Sequence, residues 1–158
     1  MTDYDLTDQR LLTALDDHPR RPVALLAERL AMARGTVQSR LARLREDGRL
    51  RLHSTRIRPG SLGYGTRAFV MASVEQNSFE RSMSALVDLP EVIECVAVSG
   101  AEDIVCQVIA RDNAHLFEVT QHMMRIPGIL RTSTSIVLQE YIELRMAQLL
   151  ARDEPRRP

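Results

Sequence analysis

Two helical apolar patterns stand only two or three residues apart between Pro22 and Gly48, and this spacing restricts the fold more than any other feature of the 158-residue chain. Pro22 suits the first position of a helix, and Leu25, Leu26, Ala27, Leu30 and Met32 supply its inward face. The next helix spans 34–47, with Val37, Leu41 and Leu44 at i, i+4 and i+7 and Gly48 as its stop. So short a joint forces a sharp angle. The small residues Ala27 and Ala31 allow close approach, while Met32 and Val37 plug the joint. This is the logic of a helix-turn-helix.

With that apolar stripe turned inward, the outward side of the second helix carries Arg34, Gly35, Thr36, Gln38, Ser39, Ala42 and Arg43. Such groups can reach base edges or phosphates in a major groove. Charge points the same way. The net charge of zero divides into 12 Arg against 8 acids over 1–58 and 9 Arg against 13 acids over 59–158; within 34–58, 8 Arg face only Glu46 and Asp47. A basic segment in a neutral chain is an electrostatic footprint for a polyanion. A plain helical hairpin with a solvated face satisfies the same periodicity, but the short turn, small residues and local charge coincide here. Against DNA binding, Ala33 stands where a Ser or Thr cap is expected, at a cost of about 1 kcal/mol.

A first helix is predicted after the capping signal Asp5-Leu6-Thr7-Asp8, with Leu11, Leu12 and Leu15 inward and an end before Pro19. The alternating segment 50–58 predicts a strand, making the module winged-helix-like. Pro59-Gly60-Ser61 and Leu62-Gly63-Tyr64-Gly65 complete a linker over 50–65.

The rest reads as a sheet domain over 66–150. A strand (66–74) leads to a helix (78–87) with Ser78 as cap and Phe79, Met83, Leu86 and Val87 inward. Strands at 92–99 and 104–110 flank the turn Gly100-Ala101-Glu102-Asp103. Asn113 caps a helix with Leu116, Val119, Met123 and Ile126 inward, and a last strand covers 129–138. The order βαββαβ predicts a ferredoxin-like antiparallel sheet with both helices on one face, and the chain as a whole is α+β. The other face, assigned Val70, Cys106 and Ile136, is too apolar to stay wet, and a second copy is the simplest cover. Residues 141–151 predict an amphipathic helix suited to an oligomer contact, and 151–158 a flexible tail.

No apolar run approaches the ~20 residues of a membrane span, and the acidic N-terminus lacks signal-peptide character, so a cytoplasmic, nucleoid-associated protein is expected. Cys95 and Cys106 lie in apolar runs without metal-ligand spacing and read as small buried residues, not as a staple, and His18, His53, His115 and His122 have no companion Cys pairs, so no metal or other cofactor is expected. Phosphate loops, nucleophile elbows and zinc-peptidase motifs are absent from the sequence, which argues against an enzyme.

Taken in order, these markers resemble the Lrp/AsnC family, the feast/famine regulators of bacteria and archaea, over roughly residues 4–150. They are Asp5-Leu6-Thr7-Asp8, Leu26-Ala27, Arg40-Leu41-Ala42-Arg43-Leu44 with Gly48-Arg49-Leu50, Val98-Ser99-Gly100-Ala101-Glu102-Asp103, Arg125-Ile126-Pro127-Gly128, and the run from Arg131 to Leu138. The resemblance implies a transcription regulator that binds double-stranded DNA and forms homodimers assembling into octamers, with an amino-acid effector held between dimers by the ligand-sensing (RAM) domain. The matching effector positions are Ser99, Gly100 and Asp103, Thr120, and Leu130, Thr132 and Thr134. A glycine turn lets a ligand approach the backbone, an acid can hold an ammonium, and threonine hydroxyls can bond a carboxylate. The same residues also fit a turn cap at Asp103 and a solvated strand edge. Leu130 stands where asparagine-responsive relatives present an amide, and Ala101 leaves space in the turn, so an apolar or larger side chain fits better. An architectural DNA organiser of the same fold that ignores small molecules, and a small enzyme built on the sheet domain, are the other readings.

Overall fold

The computed structural model describes residues 4–46 and 50–150 and divides into two compact units. One comprises the described residues up to Thr55 with those from Tyr141 onward; the other is Arg56–Glu140. Gly48, expected to stop a helix, and the tail after Leu150 lie outside the described residues.

In the first unit α1 (Leu6–Asp17) starts on a capping box: the Asp5 carboxylate accepts the Asp8 N–H at 2.8 Å, and Asp8 reaches back to the Asp5 N–H at 3.4 Å. α2 (Val23–Leu30) has Pro22 at its N-cap and not at the first helical position, so it starts one residue later than predicted. α3 (Arg34–Glu46) buries Val37, Leu41 and Leu44 against Leu11, Ala14, Leu26, Ala27 and Leu30, as its spacing predicts. Two expectations about α2 fail. Leu25 is half exposed, one residue off the stripe that Leu26 and Leu30 define. Ala31 is exposed and does not line the joint; it ends α2 in the left-handed region at φ 52°, with the Ala31 and Met32 N–H groups bonded to the Glu28 and Ala27 carbonyls.

The strand predicted over 50–58 does not form. Leu50 packs on the helical core, and His53–Arg56 is a 3₁₀ turn in which the Thr55 backbone N–H and hydroxyl both bond the Leu52 carbonyl. A Ser-Thr pair offers the backbone a local partner, and no neighbouring strand competes for it. A second 3₁₀ turn, Pro59–Leu62, follows. The helix predicted over 141–151 shrinks, among the described residues, to α6 (Ala147–Leu150), which lies against α1. Tyr141, Ile142 and Leu144 are exposed, so no packing offsets the cost of nucleating a longer helix.

The second unit holds β1 (Thr66–Val74), α4 (Phe79–Val87), β2 (Val92–Ala97), β3 (Ile104–Ala110), α5 (Asn113–Met124) and β4 (Ile129–Ile136). The strands run antiparallel in the order β2-β3-β1-β4, the ferredoxin-like arrangement. Ala68, Val70, Ala72 and Val74 pack with Ile104, Cys106 and Val108 under Leu86, Leu116, Val119 and Met123. Val70 and Cys106 therefore belong to the covered face, and the register Ala68↔Ile136 puts Ile136 on that side too. The open face carries Phe69, Met71, Val105 and Val96, with Phe69 41% and Val96 48% exposed. Because β1 is apolar on both sides, period-two alternation could not tell one face from the other.

Helix details shift for local reasons. Asp112 caps α5, accepting the His115 N–H at 2.8 Å, and Asn113 is the first helical residue. Ser78 precedes α4, but its hydroxyl bonds Glu75 and leaves the helix uncapped. Val87 is exposed, while Ser82 is fully buried because α4 runs hard against the loop before β4. There Gly128 has φ +95°, and a Cβ on it would meet the Ser78 Cβ and the Ser82 Oγ at 2.5 Å.

Candidate DNA-binding face and effector turn

The inward stripe of α3 leaves Arg34, Gly35, Thr36, Gln38, Ser39, Ala42 and Arg43 exposed on its other side. Space around Gly35 is open, so another molecule's backbone can come close. The Ser39 hydroxyl donates to the Thr36 carbonyl at 3.1 Å, and the Ala33 carbonyl receives the Thr36 and Val37 N–H groups.

Arg43 differs from the rest of this face. Its Nη2 lies 2.8 Å from Asp8 Oδ2, while Arg40 Nη1 lies 2.8 Å from Asp8 Oδ1 and 2.6 Å from Asp5 Oδ2. Asp8 is 1% exposed. Two carboxylates at the start of α1 thus hold two guanidiniums of α3. The Arg40 bond keeps the Asp5 carboxyl below its ordinary range, and the Asp5 and Asp8 bonds push Arg40 up. The eight arginines over 34–58 therefore overstate the available positive charge. Arg34, Arg45, Arg51 and Arg56 have no ion-pair partner among the described residues.

Sequence reasoning found Asp8 only as a cap. The missed signal was its position one turn before Leu11 on the apolar stripe of α1, where a carboxylate must find cations or neutralise.

In the second unit, Ser99 and Gly100 are exposed in the β2–β3 turn, with Gly100 at φ +153°. The Asp103 N–H bonds the Ala72 carbonyl, and its carboxylate accepts the Val74 N–H at 2.7 Å, beside the register shift between Ser73 and Val74. One carboxylate oxygen of Asp103 thus satisfies backbone. Glu102, absent from the predicted site, accepts from Ser73 Oγ at 2.6 Å and pairs with Arg131 Nη2 at 2.8 Å, tying the turn to the start of β4.

The structure consequently brings the 99–103 turn beside β1 and the first residues of β4. Thr132 stands opposite Ala72 and Thr134 opposite Val70, while Leu130 is 70% exposed. Thr120, on α5, donates its hydroxyl to the Phe117 carbonyl in its own helix at 2.9 Å and not to the turn. Among these residues no group of three His, Cys, Asp or Glu is placed to hold a metal ion, and no helix is long and apolar enough to cross a membrane.

Residues 4–51 match the model of a winged helix-turn-helix DNA-binding domain, and residues 67–147 match the Lrp/AsnC ligand binding domain. The chain belongs to the Lrp/AsnC family. It is 30% identical over 141 residues to the transcriptional regulator AldR of Mycolicibacterium smegmatis, covering 87% of this chain and 82% of that one. Its fold superposes on E. coli AsnC with a TM-score of 0.82 at 25% identity, over 92% of this chain and 99% of that one. The feast or famine regulatory protein of M. tuberculosis, solved in complex with L-methionine, gives 0.78 at 28% identity over 90% and 97%. This Lrp/AsnC protein is thus a DNA-binding transcription regulator with a ligand-binding domain.

Proposed function

We propose that the outward face of α3 enters the major groove of double-stranded DNA, with Arg34, Gly35, Thr36, Gln38 and Ser39 nearest the bases and Arg43 toward the backbone. The observation that carries this is the exposure of all six residues on one helix face whose opposite side is buried. Arg34 has no competing partner among the described residues, whereas Arg43 must leave or share Asp8 to reach a phosphate. Arg34→Ala should therefore weaken binding to the operator by about 1–3 kcal/mol if it reads a base. Arg43→Ala should weaken all sequences alike and flatten the salt dependence. Fluorescence anisotropy against operator and scrambled duplexes separates the two; unchanged affinity in both variants would remove α3 from the interface.

The second unit is read as the sensor, with Ser99, Gly100, Asp103, Thr120, Leu130, Thr132 and Thr134 meeting an amino acid where dimers adjoin. Support comes from the turn's exposed backbone, and from the L-methionine bound to the M. tuberculosis relative. Exposed Leu130 favours an effector with an apolar side chain. A thermal-shift screen of the common amino acids tests this, since a ligand at about 100 times its Kd stabilises by ~2.7 kcal/mol. Asp103→Asn keeps an acceptor for the Val74 N–H while removing the charge, so it should fold and lose the response. No response to any amino acid would favour a DNA organiser without an effector.

The open sheet face, with Phe69, Met71, Val96 and Val105, is read as the homodimer interface, further assembly building the octamer. Phe69→Glu should then sediment as a monomer. The protein is read as a cytoplasmic, nucleoid-associated regulator without catalytic activity.

A further inference from the structure

Cys95 on β2 and Cys106 on β3 are direct cross-strand partners. Both are free thiols, and their Sγ atoms stand 3.4 Å apart. Opposed residues of an antiparallel pair have Cα atoms about 4.5 or 5.5 Å apart, within the span of roughly 4.4–6.8 Å that a disulfide bridges. A bond of about 2.05 Å asks the sulfurs to approach by roughly 1.4 Å. β2 can yield that much, because it is the sheet edge and its register slips between Val92 and Glu94. The two thiols differ in access. Cys95 is exposed at the sheet edge, against the burial its apolar run suggested, while Cys106 is 0% exposed in the core and its thiol is pushed up to about 12, chiefly by burial. Both lie on the helix-covered side of the sheet, so a cover on the open face would leave Cys95 accessible.

We propose that Cys95 and Cys106 form a peroxide-oxidisable dithiol that closes into an intrachain disulfide between β2 and β3. The Cys95 thiolate attacks hydrogen peroxide; an S–O bond forms, the O–O bond breaks, and hydroxide leaves and is protonated to water. The Cys106 sulfur then attacks the Cys95 sulfenic acid; the S–S bond forms, the S–O bond breaks, and the departing hydroxide takes the Cys106 proton as a second water. Two thiols are oxidised and one peroxide is reduced to two waters, and a dithiol reductant reverses the change. Exposure orders the steps, since peroxide reaches Cys95 while Cys106 waits behind it. Only the pairs Val96↔Val105 and Ala97↔Ile104 separate this cross-link from the turn bearing Ser99 and Asp103, so it braces that hairpin.

The full chain, exposed to hydrogen peroxide at neutral pH and quenched with N-ethylmaleimide, tests the proposal by intact mass and non-reducing peptide mapping. The expected result is loss of both alkylatable thiols, a mass lower by two hydrogens, a peptide pair joining Cys95 to Cys106, and full reversal by dithiothreitol. In Cys95→Ser, Cys106 should stay alkylatable on denaturation. In Cys106→Ala, Cys95 should halt as a sulfenic acid that dimedone traps. Circular dichroism checks the fold of Cys106→Ala, and the surface variant decides the matter if the core variant unfolds. Retention of both thiols, a Cys95–Cys95 link between chains, or over-oxidation of Cys95 beside an alkylatable Cys106 would each overturn it.

Discussion

Replacing Asp8 by Asn removes one buried charge while keeping the side chain's shape, and its cost follows from what surrounds it. Asp8 is 1% exposed and receives both Arg40 and Arg43 at 2.8 Å. Stranding a fully buried partner costs about 3–5 kcal/mol, whereas an exposed pair contributes only about 0–1 kcal/mol. Neither limit applies. Arg40 keeps Asp5 at 2.6 Å, and Arg43, with its side chain 47% exposed, can be taken up by water. The expected loss is therefore about 1–3 kcal/mol. Urea unfolding followed by far-UV circular dichroism measures it. Double-mutant cycles with Arg40→Ala and Arg43→Ala cancel the second unit's contribution and should give the larger coupling for the less exposed Arg40. A variant within about 0.5 kcal/mol of the parent, or couplings near zero for both arginines, would refute the clamp.

Three further outcomes are expected. Because Arg40 lowers the folded pKa of Asp5, that pair's stabilisation is complete above the ordinary value of 3.8 and is lost as pH falls through the lowered one. Asp5→Asn retains a cap, so its thermal midpoint should trail the parent's near neutrality and converge with it as pH drops from about 5 toward about 2; a constant gap would contradict this. Gly128→Ala should cost about 2–4 kcal/mol, since it combines a positive φ with a Cβ 2.5 Å from Ser78 and Ser82, and a thermal midpoint within about 2 °C of the parent would show that the loop gives way. Ala31→Gly should stabilise the first unit by about 0.5–1 kcal/mol in urea unfolding by relieving φ 52°, and equal or lower stability would count against strain there.

Helix periodicity exposed what mattered in α3 and α5, because Val37, Leu41, Leu44 and Leu116, Val119, Met123 repeat at a spacing that only one helix face satisfies. The βαββαβ order carried the sheet topology for a similar reason. Strand facing was harder: Ala68 to Val74 is apolar on both sides, and only pairing with β3 and β4 decides that Val70 is covered and Phe69 open. The segment over 50–58 alternates like a strand, yet a strand exists only with a partner, and here the Leu52 carbonyl is taken locally by the Thr55 N–H and hydroxyl. At the candidate sites the exposed groups were readable from helix phase and resemblance. The ties that restrain them were not, because Asp8 to Arg43 and Glu102 to Arg131 join residues far apart in the chain.

The clamp at Asp8 also bears on how such a module could be re-engineered. Since α3 is anchored by charge at the first turn of α1, its outward residues are not a detachable cassette. Transplanting Arg34 to Arg43 into another three-helix scaffold would carry two guanidiniums without the carboxylates that orient them. A graft that brings Asp5 and Asp8 along should preserve the helix's pose, while one that omits them would present the same letters at a different angle.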